Sequence, residues 1–420
     1  MPEVAGVARR GGLFLTDRAH YGSGEPRGAI YPPRAPVQIA PVPRAKSKPP
    51  SPSRDATGDL PPPDAAAALA RALRPSGFLS RLPPLTDDVC LHVGIDENGL
   101  GPVLGPMIVT GVAFRLRGPR PTSLGALVGD SKAMVSHGDV SLGEAWARAI
   151  LSALGESPRS PSDVVERLSM DHLSVLRAPC PTRAPDAARD HAAAMCWPEA
   201  PESFVADDAL VERCKRTLRG WAASSDDVGR NNGRFSRRVP LEIVGLRASI
   251  VCASRLNEAK AGGRHKFAVD LHEMERIALG FHAASSAAPT RPPLDAVCGK
   301  VGGMGYYSDY FGPLSGSLRA IEAEGEMASA YRFPGLGRMT FLQDADAADP
   351  LVGLASIVGK YLRELLMGRI VRYMREGHAR KDEVPMASGY RDPNTKRFIA
   401  ATELVRRDRG VPDRCFLRTS

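Results

Sequence analysis

The sequence predicts an α/β or α+β fold with one central sheet, and three observations support this prediction. Short apolar runs at 91–95 and 106–114 flank a glycine-rich turn, which is typical of a strand, a turn and a second strand. Further along the chain, segments with helical and strand periodicity alternate. With 420 residues, 43% of them hydrophobic, the chain is long enough to bury one large core. One main domain is therefore expected.

The other elements follow in chain order. Apolar residues at helical spacing predict helices at 142–154, 161–176, 204–222, 266–284, 351–375 and 396–407. Apolar runs bounded by turn residues predict further strands at 241–253, 294–301 and 331–342. These strands would join the first pair in one sheet, with helices packed around it.

The first 88 residues differ from the rest in composition. They hold 16 of the 37 prolines, and proline at that density removes backbone donors and favours extended conformations. We therefore expect a Pro-rich disordered leader over 1–88, with one short helix at 64–73, and a main domain over 89–420. A segment around 178–201 is rich in Ala, Pro and charge, and is expected to be an insertion in that domain.

Charge and cysteine content restrict the class of protein. The net charge of +9 suits a polyanionic partner, although it also suits an arginine-rich proteome. The seven cysteines include no CxxC pair and are odd in number, so neither a disulfide framework nor a zinc site is indicated. No stretch reaches the apolar length of a membrane span, and the N-terminus lacks a secretory pattern. We expect a cytoplasmic monomer with no membrane partner.

Two adjacent carboxylates stand at the mouth of the first predicted hairpin. The run 94–106 reads GIDENGLGPVLGP, so Asp96 and Glu97 lie between an apolar strand and a glycine-rich turn. Successive side chains of a strand point to opposite faces, so both can serve one site only where the strand ends. Gly99 and Gly101 would allow a phosphate or another backbone to approach closely. The pattern indicates metal and phosphate binding, and an ordinary turn is the alternative.

Four motifs resemble those of the ribonuclease HII family and occur in the same order. The run 96–106 is similar to the family's DEAGRGPLAGP, and GDSK at 129–132 is similar to its D-S-K. LASIVGK at 354–360 is similar to A-A-S-I-V-A-K, and Gly-Tyr at 389–390 resembles the G-Y before the family's C-terminal helix. The resemblance extends over residues 90–415 and narrows the predicted fold to a ribonuclease H-like central mixed sheet flanked by helices.

This resemblance implies a metal-dependent endonuclease that acts on RNA/DNA hybrids or on ribonucleotides embedded in duplex DNA. Such an enzyme would use Mg²⁺ or Mn²⁺ to align a water molecule and to stabilise the leaving oxygen. Asp96, Glu97 and Glu364 match three of the family's four carboxylates, and are the candidate catalytic and metal-binding residues. The substrate-binding candidates are Asn98, Gly99, Gly101, Ser131, Lys132, Ser356, Lys360 and Tyr390.

Glu364 stands where the family carries Asp in an Arg-Asp pair. Residues four apart on a helix share a face, so Ser356, Lys360 and Glu364 form one polar stripe. The stripe predicts that Glu364 reaches a metal ion. The alternative is a surface ion pair between Lys360 and Glu364, which would contribute only a few tenths of a kcal/mol.

The third carboxylate of the family pattern is missing. Depending on the alignment, Gly299 or Cys298 occupies its position in the strand predicted at 294–301. Asp295 cannot simply replace it, because four residues along a strand span about 13 Å. Possible substitutes from loops are Asp309, Asp344 and Asp346, and the resemblance places Asp346 at the spacing of a family Asp that precedes A-S-I-V-A-K.

A second departure is Leu100, which replaces the Arg of the family's G-R-G segment near the ribose 2′-OH. Three hypotheses therefore remain open. The first is a divergent nuclease, and the second is a relative that binds nucleic acid without cutting it, which Gly299 and Leu100 favour. The third is an interaction protein with no nucleic-acid role, and the retained Asp96, Glu97, Lys132 and Lys360 argue against it.

Overall fold

The computed structural model describes residues 75–82, 85, 89–117, 120, 139–170, 202–224, 241–285 and 291–419. The chain divides after Leu60 into two units, and every described residue belongs to the second unit. The helix predicted at 64–73, the insertion predicted at 178–201, and the candidates Ser131 and Lys132 lie outside the described residues.

Strands of the described part of the chain form one mixed sheet. They are β1 (Val89–Asn98), β2 (Met107–Arg117), β3 (Glu242–Val251), β4 (Leu294–Gly299), β5 (Ala320–Ala323), β6 (Ala328–Phe333) and β7 (Gly337–Leu342). Their order across the sheet is β3-β2-β1-β4-β7-β6-β5. β1, β4 and β7 are parallel neighbours, and the other pairs are antiparallel. The prediction of one central mixed sheet is confirmed.

Helices cover both faces of this sheet. They are α1 (Pro75–Leu79), α2 (Ser141–Ala153), α3 (Pro161–Leu168), α4 (Asp208–Ser224), α5 (Ala253–Ala261), α6 (Lys266–Ala284), α7 (Ala345–Ala348), α8 (Pro350–Glu376), α9 (Pro393–Ala401), α10 (Glu403–Asp408) and α11 (Asp413–Phe416). On one face, Trp146 of α2 and Leu354 of α8 share a core cluster. On the opposite face, Ile277 of α6 packs in a second cluster with Val93 and Ile95 of β1. No described helix combines the length and the apolar character that crossing a membrane requires.

Several predicted boundaries are corrected. The segment 331–342, predicted as one strand, contains the end of β6 and all of β7, because Gly335 adopts a positive φ of 76° and the chain reverses there. The helix predicted at 396–407 is divided at Thr402 into α9 and α10. The strand predicted at 241–253 ends at Val251, and α5 begins two residues later.

The end of the predicted leader packs against the domain. Residues 75–79 form α1, and Phe78 and Leu79 contact a buried cluster that includes Leu342 and Val352. The prediction of disorder through residue 88 is therefore wrong for this segment, because its two large apolar side chains find a buried surface on which to pack.

Helix α8 lies unusually close to the sheet because glycines face it. A Cβ atom at Gly94 of β1 would lie 2.2 Å from the backbone carbonyl carbon of Leu351, and one at Gly359 would lie 2.5 Å from Asn98 Nδ2. At the start of α8 the Asp349 carboxylate accepts hydrogen bonds from the backbone N–H groups of Leu351 and Val352, each at 3.0 Å. This close packing sets the position of α8 over the end of β1.

We expect Gly359→Ala to lower the free energy of unfolding by about 1–3 kcal/mol, because the new methyl group would overlap the Asn98 amide and the Thr110 hydroxyl. Gly368→Ala in the same helix is the matched control. No atom lies within 4 Å of its Cβ position, so alanine there should raise stability by about 0.5–1 kcal/mol. Chemical denaturation of both variants measures the difference, and equal effects would contradict the close approach.

Candidate active site

A cavity of about 660 Å³ opens at the carboxyl ends of β1, β4 and β7. Ligands of open α/β sheets bind outside the carboxyl ends of parallel strands, so this is the expected place for a site. Its lining includes Gly299 and the polar residues Asp96, Glu97, Asn98, Asp344, Asp346, Ser356 and Lys360. The structure therefore brings together five of the candidates from the sequence: Asp96, Glu97, Asn98, Ser356 and Lys360.

Asp96 and Glu97 occupy the end of β1 and belong to opposite faces of the sheet. The Ser356 hydroxyl of α8 hydrogen-bonds the Asp96 carboxylate, which places Asp96 on the α8 side. Val93 and Ile95 pack on the α6 side, and Glu97 follows them in the strand alternation. Both carboxylates line the cavity because the strand ends there.

Burial strongly affects the ionisation of these two carboxylates. It raises the pKa of Asp96 to about 7; the Ser356 hydroxyl opposes this shift, and the negative charge of Asp346 adds to it. Burial and the neighbouring Asp96 also raise the pKa of Glu97. Glu97 Oε1 is buried without a hydrogen-bond partner. A cation at this position would stabilise the charged form of both groups.

Gly299 lies directly beside Asp96. A Cβ atom on Gly299 would be 2.5 Å from Asp96 Oδ1, so the two residues share a face of the sheet. Cys298 is fully buried in the cluster on the α6 side. Of the two alignments that the sequence left open, the geometry favours Gly299 as the position that lacks a carboxylate.

Two of the possible substitutes lie at the cavity. Asp344 and Asp346 line it from the segment that follows β7, whereas Asp309 is exposed and is not part of the lining. Asp295 interacts elsewhere: its carboxylate is 3.2 Å from His92 Nδ1 and 3.7 Å from Arg120 Nη1. The expectation that Asp295 does not replace the missing carboxylate agrees with this placement.

Glu364 does not line the cavity, contrary to its expected role beside Asp96 and Glu97. Its carboxylate accepts a hydrogen bond of 2.7 Å from Arg363 Nη1, and 42% of its side chain is exposed. The polar stripe of α8 reaches the cavity at Ser356 and Lys360. Glu364 lies one helical turn further on, outside the cavity. A shared helical phase therefore does not by itself bring its side chain to Asp96 and Glu97.

The glycine-rich turn after β1 is held by cationic side chains. Gly99 has a φ of 101°, and a Cβ there would lie 2.8 Å from Arg363 Nε. Arg418 donates hydrogen bonds to the carbonyls of Gly99 and Gly105. Gly101 is exposed, with open space around its Cβ position. The turn is thus anchored on the protein side, while its tip remains accessible.

Tyr390 lies next to this turn. Its ring is 44% exposed, and the Arg363 guanidinium lies 4.8 Å from the ring centroid. The Gly389 carbonyl accepts hydrogen bonds from the backbone N–H groups of Val103 and Leu104 at 2.8 and 3.1 Å. The Gly-Tyr motif therefore joins the glycine-rich turn, although neither Tyr390 nor Gly99 is part of the cavity lining.

Sequence reasoning missed Asp270 of α6. This residue is only 1% exposed, and neither of its carboxyl oxygens has a hydrogen-bond partner. Burial raises its pKa well above the usual range, and the charges of Glu97 and Asp96 add to the shift. The one signal in the sequence is an acidic residue between Val269 and Leu271 in a helix, which matches no motif.

The donor set suits a hard divalent cation. In the part of the chain that the structure describes, no group of three His, Cys, Asp or Glu side chains is gathered closely enough to hold a metal ion. All candidate ligands are nevertheless carboxylates, which Mg²⁺ and Mn²⁺ prefer. The unpartnered oxygens of Glu97 and Asp270 are groups that such an ion would satisfy.

No protein-family model matches the chain, and no curated protein matches it. Several solved structures do. The chain is similar to ribonucleases HII and HIII. The RNase HII of Archaeoglobus fulgidus, solved in complex with PCNA, shares 16% identity at a TM-score of 0.33, covering 78% of this chain and 94% of that chain.

Two further structures complete this comparison. The ribonuclease H2 of Pyrococcus horikoshii shares 13% identity at a TM-score of 0.30, with 78% of this chain and 92% of that chain covered. Bst-RNase HIII in complex with Mn²⁺ shares 14% identity at a TM-score of 0.33, with 79% and 75% covered. Because these TM-scores are 0.33 or lower, the function has to be inferred from the residues of this chain.

Proposed function

We propose that the protein is a divalent-metal-dependent endonuclease that cleaves RNA in RNA/DNA hybrids or single ribonucleotides embedded in duplex DNA. The observation that carries this proposal is the cavity at the ends of three parallel strands, where Asp96, Glu97 and Asp346 meet Lys360. Carboxylates gathered from separate segments beside a cationic side chain fit a site for metal ions and a phosphodiester. The order of motifs along the sequence supports the same activity.

Each residue of the cavity has a distinct role in this proposal. Asp96, Glu97 and Asp346 would hold Mg²⁺ or Mn²⁺, and these ions would supply an aligned water molecule and stabilisation of the leaving oxygen. Ser356 orients Asp96 through its hydrogen bond. Lys360 presents an ammonium group to a phosphate of the substrate. In this proposal Asp346 would have the role that was predicted for Glu364.

The glycine-rich turn and Tyr390 form the adjoining surface for the nucleic acid. Gly101 offers an exposed backbone that a sugar-phosphate strand can approach. The exposed Tyr390 ring can stack on a sugar or base. Arg363 lies beside Gly99 and this ring, but its side chain is buried and donates to Glu364 and to the Ser388 carbonyl, so it supports the turn and does not replace the Arg that Leu100 substitutes.

A second candidate function is binding of the same nucleic acids without cleavage. Gly299 favours it, because it leaves the sheet without a carboxylate beside Asp96. The loss of one anionic ligand weakens ion binding and removes charge where the reaction needs it, and this can cost several kcal/mol of barrier.

Cleavage of three labelled duplexes distinguishes these functions. The substrates are a DNA duplex with one embedded ribonucleotide, an RNA/DNA hybrid and an all-DNA duplex, each with Mg²⁺, with Mn²⁺ or with a chelator. We expect metal-dependent products from one or both ribonucleotide-containing duplexes and none from DNA. Binding of these duplexes without any product would favour the second function. If the protein neither binds nor cleaves these duplexes, both proposed functions are contradicted.

A further inference from the structure

Asp270 lies on the face of α6 that borders the cavity. Met274, one turn further along the helix, is part of the cavity lining. Phe267, one turn earlier, contacts Gly302, which is also part of the lining. Residues three and four apart share a helix face, so Asp270 is placed between two side chains that reach the cavity wall.

The carboxylate of Asp270 differs from its neighbours on the same helix. Glu273 accepts a hydrogen bond of 2.7 Å from the Ser249 hydroxyl, and Glu275 accepts one of 3.0 Å from the backbone N–H of Gly312. Asp270 is as buried as they are, yet both of its oxygens lack a partner. Buried polar groups in folded proteins are nearly always paired, so an unpaired carboxylate indicates a missing ligand.

A second carboxylate on the same side of the sheet is also incompletely paired. Glu97 lies on the α6 side of β1, its negative charge adds to the raised pKa of Asp270, and its Oε1 is buried without a partner. Asp270 and Glu97 together therefore have three unpaired oxygens on the side of the sheet that α6 covers. On the other side of the sheet, Gly299 contributes no side chain at all.

We propose that Asp270 is a ligand of a divalent cation held together with Glu97 and Asp96, and that it supplies from α6 the third carboxylate that Gly299 does not supply from β4. This inference rests on the proposed function. Like charges keep three carboxylates apart unless a cation lies between them. An ion at this position would satisfy the oxygens that the protein leaves unpaired, with ligands of the kind that Mg²⁺ and Mn²⁺ prefer.

Isothermal titration with Mn²⁺ alone tests the role of Asp270 without requiring activity. We expect Asp270→Asn to weaken Mn²⁺ binding by about tenfold or more, because it replaces an anionic ligand by a neutral one of the same shape. Glu275→Gln is the matched control, since it neutralises a buried carboxylate of the same helix that does not border the cavity. The control should bind Mn²⁺ like the unaltered protein.

Thermal unfolding of the same proteins gives a second readout. Mn²⁺, relative to a chelator, should raise the unfolding temperature of the unaltered protein more than that of Asp270→Asn, because the ion has one more ligand in the unaltered protein. If Asp270 is only a buried neutral acid, Mn²⁺ will stabilise both proteins equally.

Three outcomes would overturn the inference. Equal Mn²⁺ affinity of Asp270→Asn and the unaltered protein would do so while leaving the nuclease proposal intact, provided that the unaltered protein binds Mn²⁺ and cleaves. An equal loss of affinity in Glu275→Gln would show a general effect of α6. No Mn²⁺ binding by the unaltered protein would refute this inference and the proposed metal dependence together.

Discussion

Asp96→Asn is expected to reduce metal-dependent cleavage of a ribonucleotide-containing duplex by about 100-fold or more, equivalent to about 2.7 kcal/mol of barrier. The substitution keeps the shape of the side chain but removes a carboxylate that lines the cavity and that we propose as a metal ligand. The fold should not suffer, because burial already disfavours the charged form of Asp96 and raises its pKa. Single-turnover rates at saturating Mn²⁺, with unfolding curves of the same samples, measure both effects.

Asp309→Asn is the control for this experiment, because Asp309 is exposed and lies outside the cavity lining. It should cleave at the rate of the unaltered protein. If Asp96→Asn retained that rate as well, the cavity would not be the catalytic site. If both variants lost activity equally, the loss would not depend on the placement of the carboxylate in the cavity.

The strand that carries Asp96 and Glu97 was predictable because its sequence is locally unambiguous. Leu91, Val93 and Ile95 form an apolar run, and the cluster of Gly and Pro residues after Asn98 indicates that the strand ends there. The placement of both carboxylates at that end requires no long-range information. Helix α6 was predicted at 266–284, which are its observed bounds, because the segment is long, rich in residues that favour helices and free of proline.

The hairpin of β6 and β7 was not predictable from apolar periodicity. Apolar residues of 331–342 lie on both sides of Pro334 and Gly335, and this Pro-Gly pair is a turn signal that the prediction of a single strand did not use. The chain reverses at Gly335, which has a positive φ. β5 was not predicted because it is an edge strand of only four residues, which pairs with β6. Its pairing is a tertiary contact and leaves little local pattern.

The candidate metal ligands were also only partly predictable from the sequence. Ser356, Lys360 and Glu364 share a helical phase, but the phase does not say at which turn α8 leaves the cavity. Asp346 was distinguished among the loop carboxylates by its spacing before LASIVGK, but only the fold shows that it lines the cavity with Asp96 while Asp309 lies outside. Asp270 carries no motif at all. Its importance arises from burial, from its unpaired oxygens and from its electrostatic interaction with Glu97, all of which are properties of the folded molecule.

Arg418→Ala is expected to lower the free energy of unfolding by about 3 kcal/mol. The Arg418 guanidinium is buried under the glycine-rich turn and donates to the carbonyls of Gly99, Pro102 and Gly105. Its Nε hydrogen bond to the Gly105 carbonyl is 2.8 Å long. Burial lowers the pKa of this side chain to about 10, so it remains charged at neutral pH. Its removal would leave these carbonyls without their charged donor, which accounts for the size of the effect.

Arg407→Ala is the matched control, because Arg407 is 71% exposed and pairs with the exposed Glu403. Such surface pairs contribute about 0–1 kcal/mol. Arg418→Lys should recover little of the loss, since an ammonium group lacks the planar guanidinium that reaches several carbonyls at once. Denaturant titration measures the free energy of unfolding of the three variants. An Arg418→Ala effect no larger than that of Arg407→Ala would show that the turn keeps its conformation without Arg418. Because the turn directly follows Glu97, Arg418→Ala should also slow cleavage in any fraction that remains folded, which links the stability of this end of the chain to the geometry of the site.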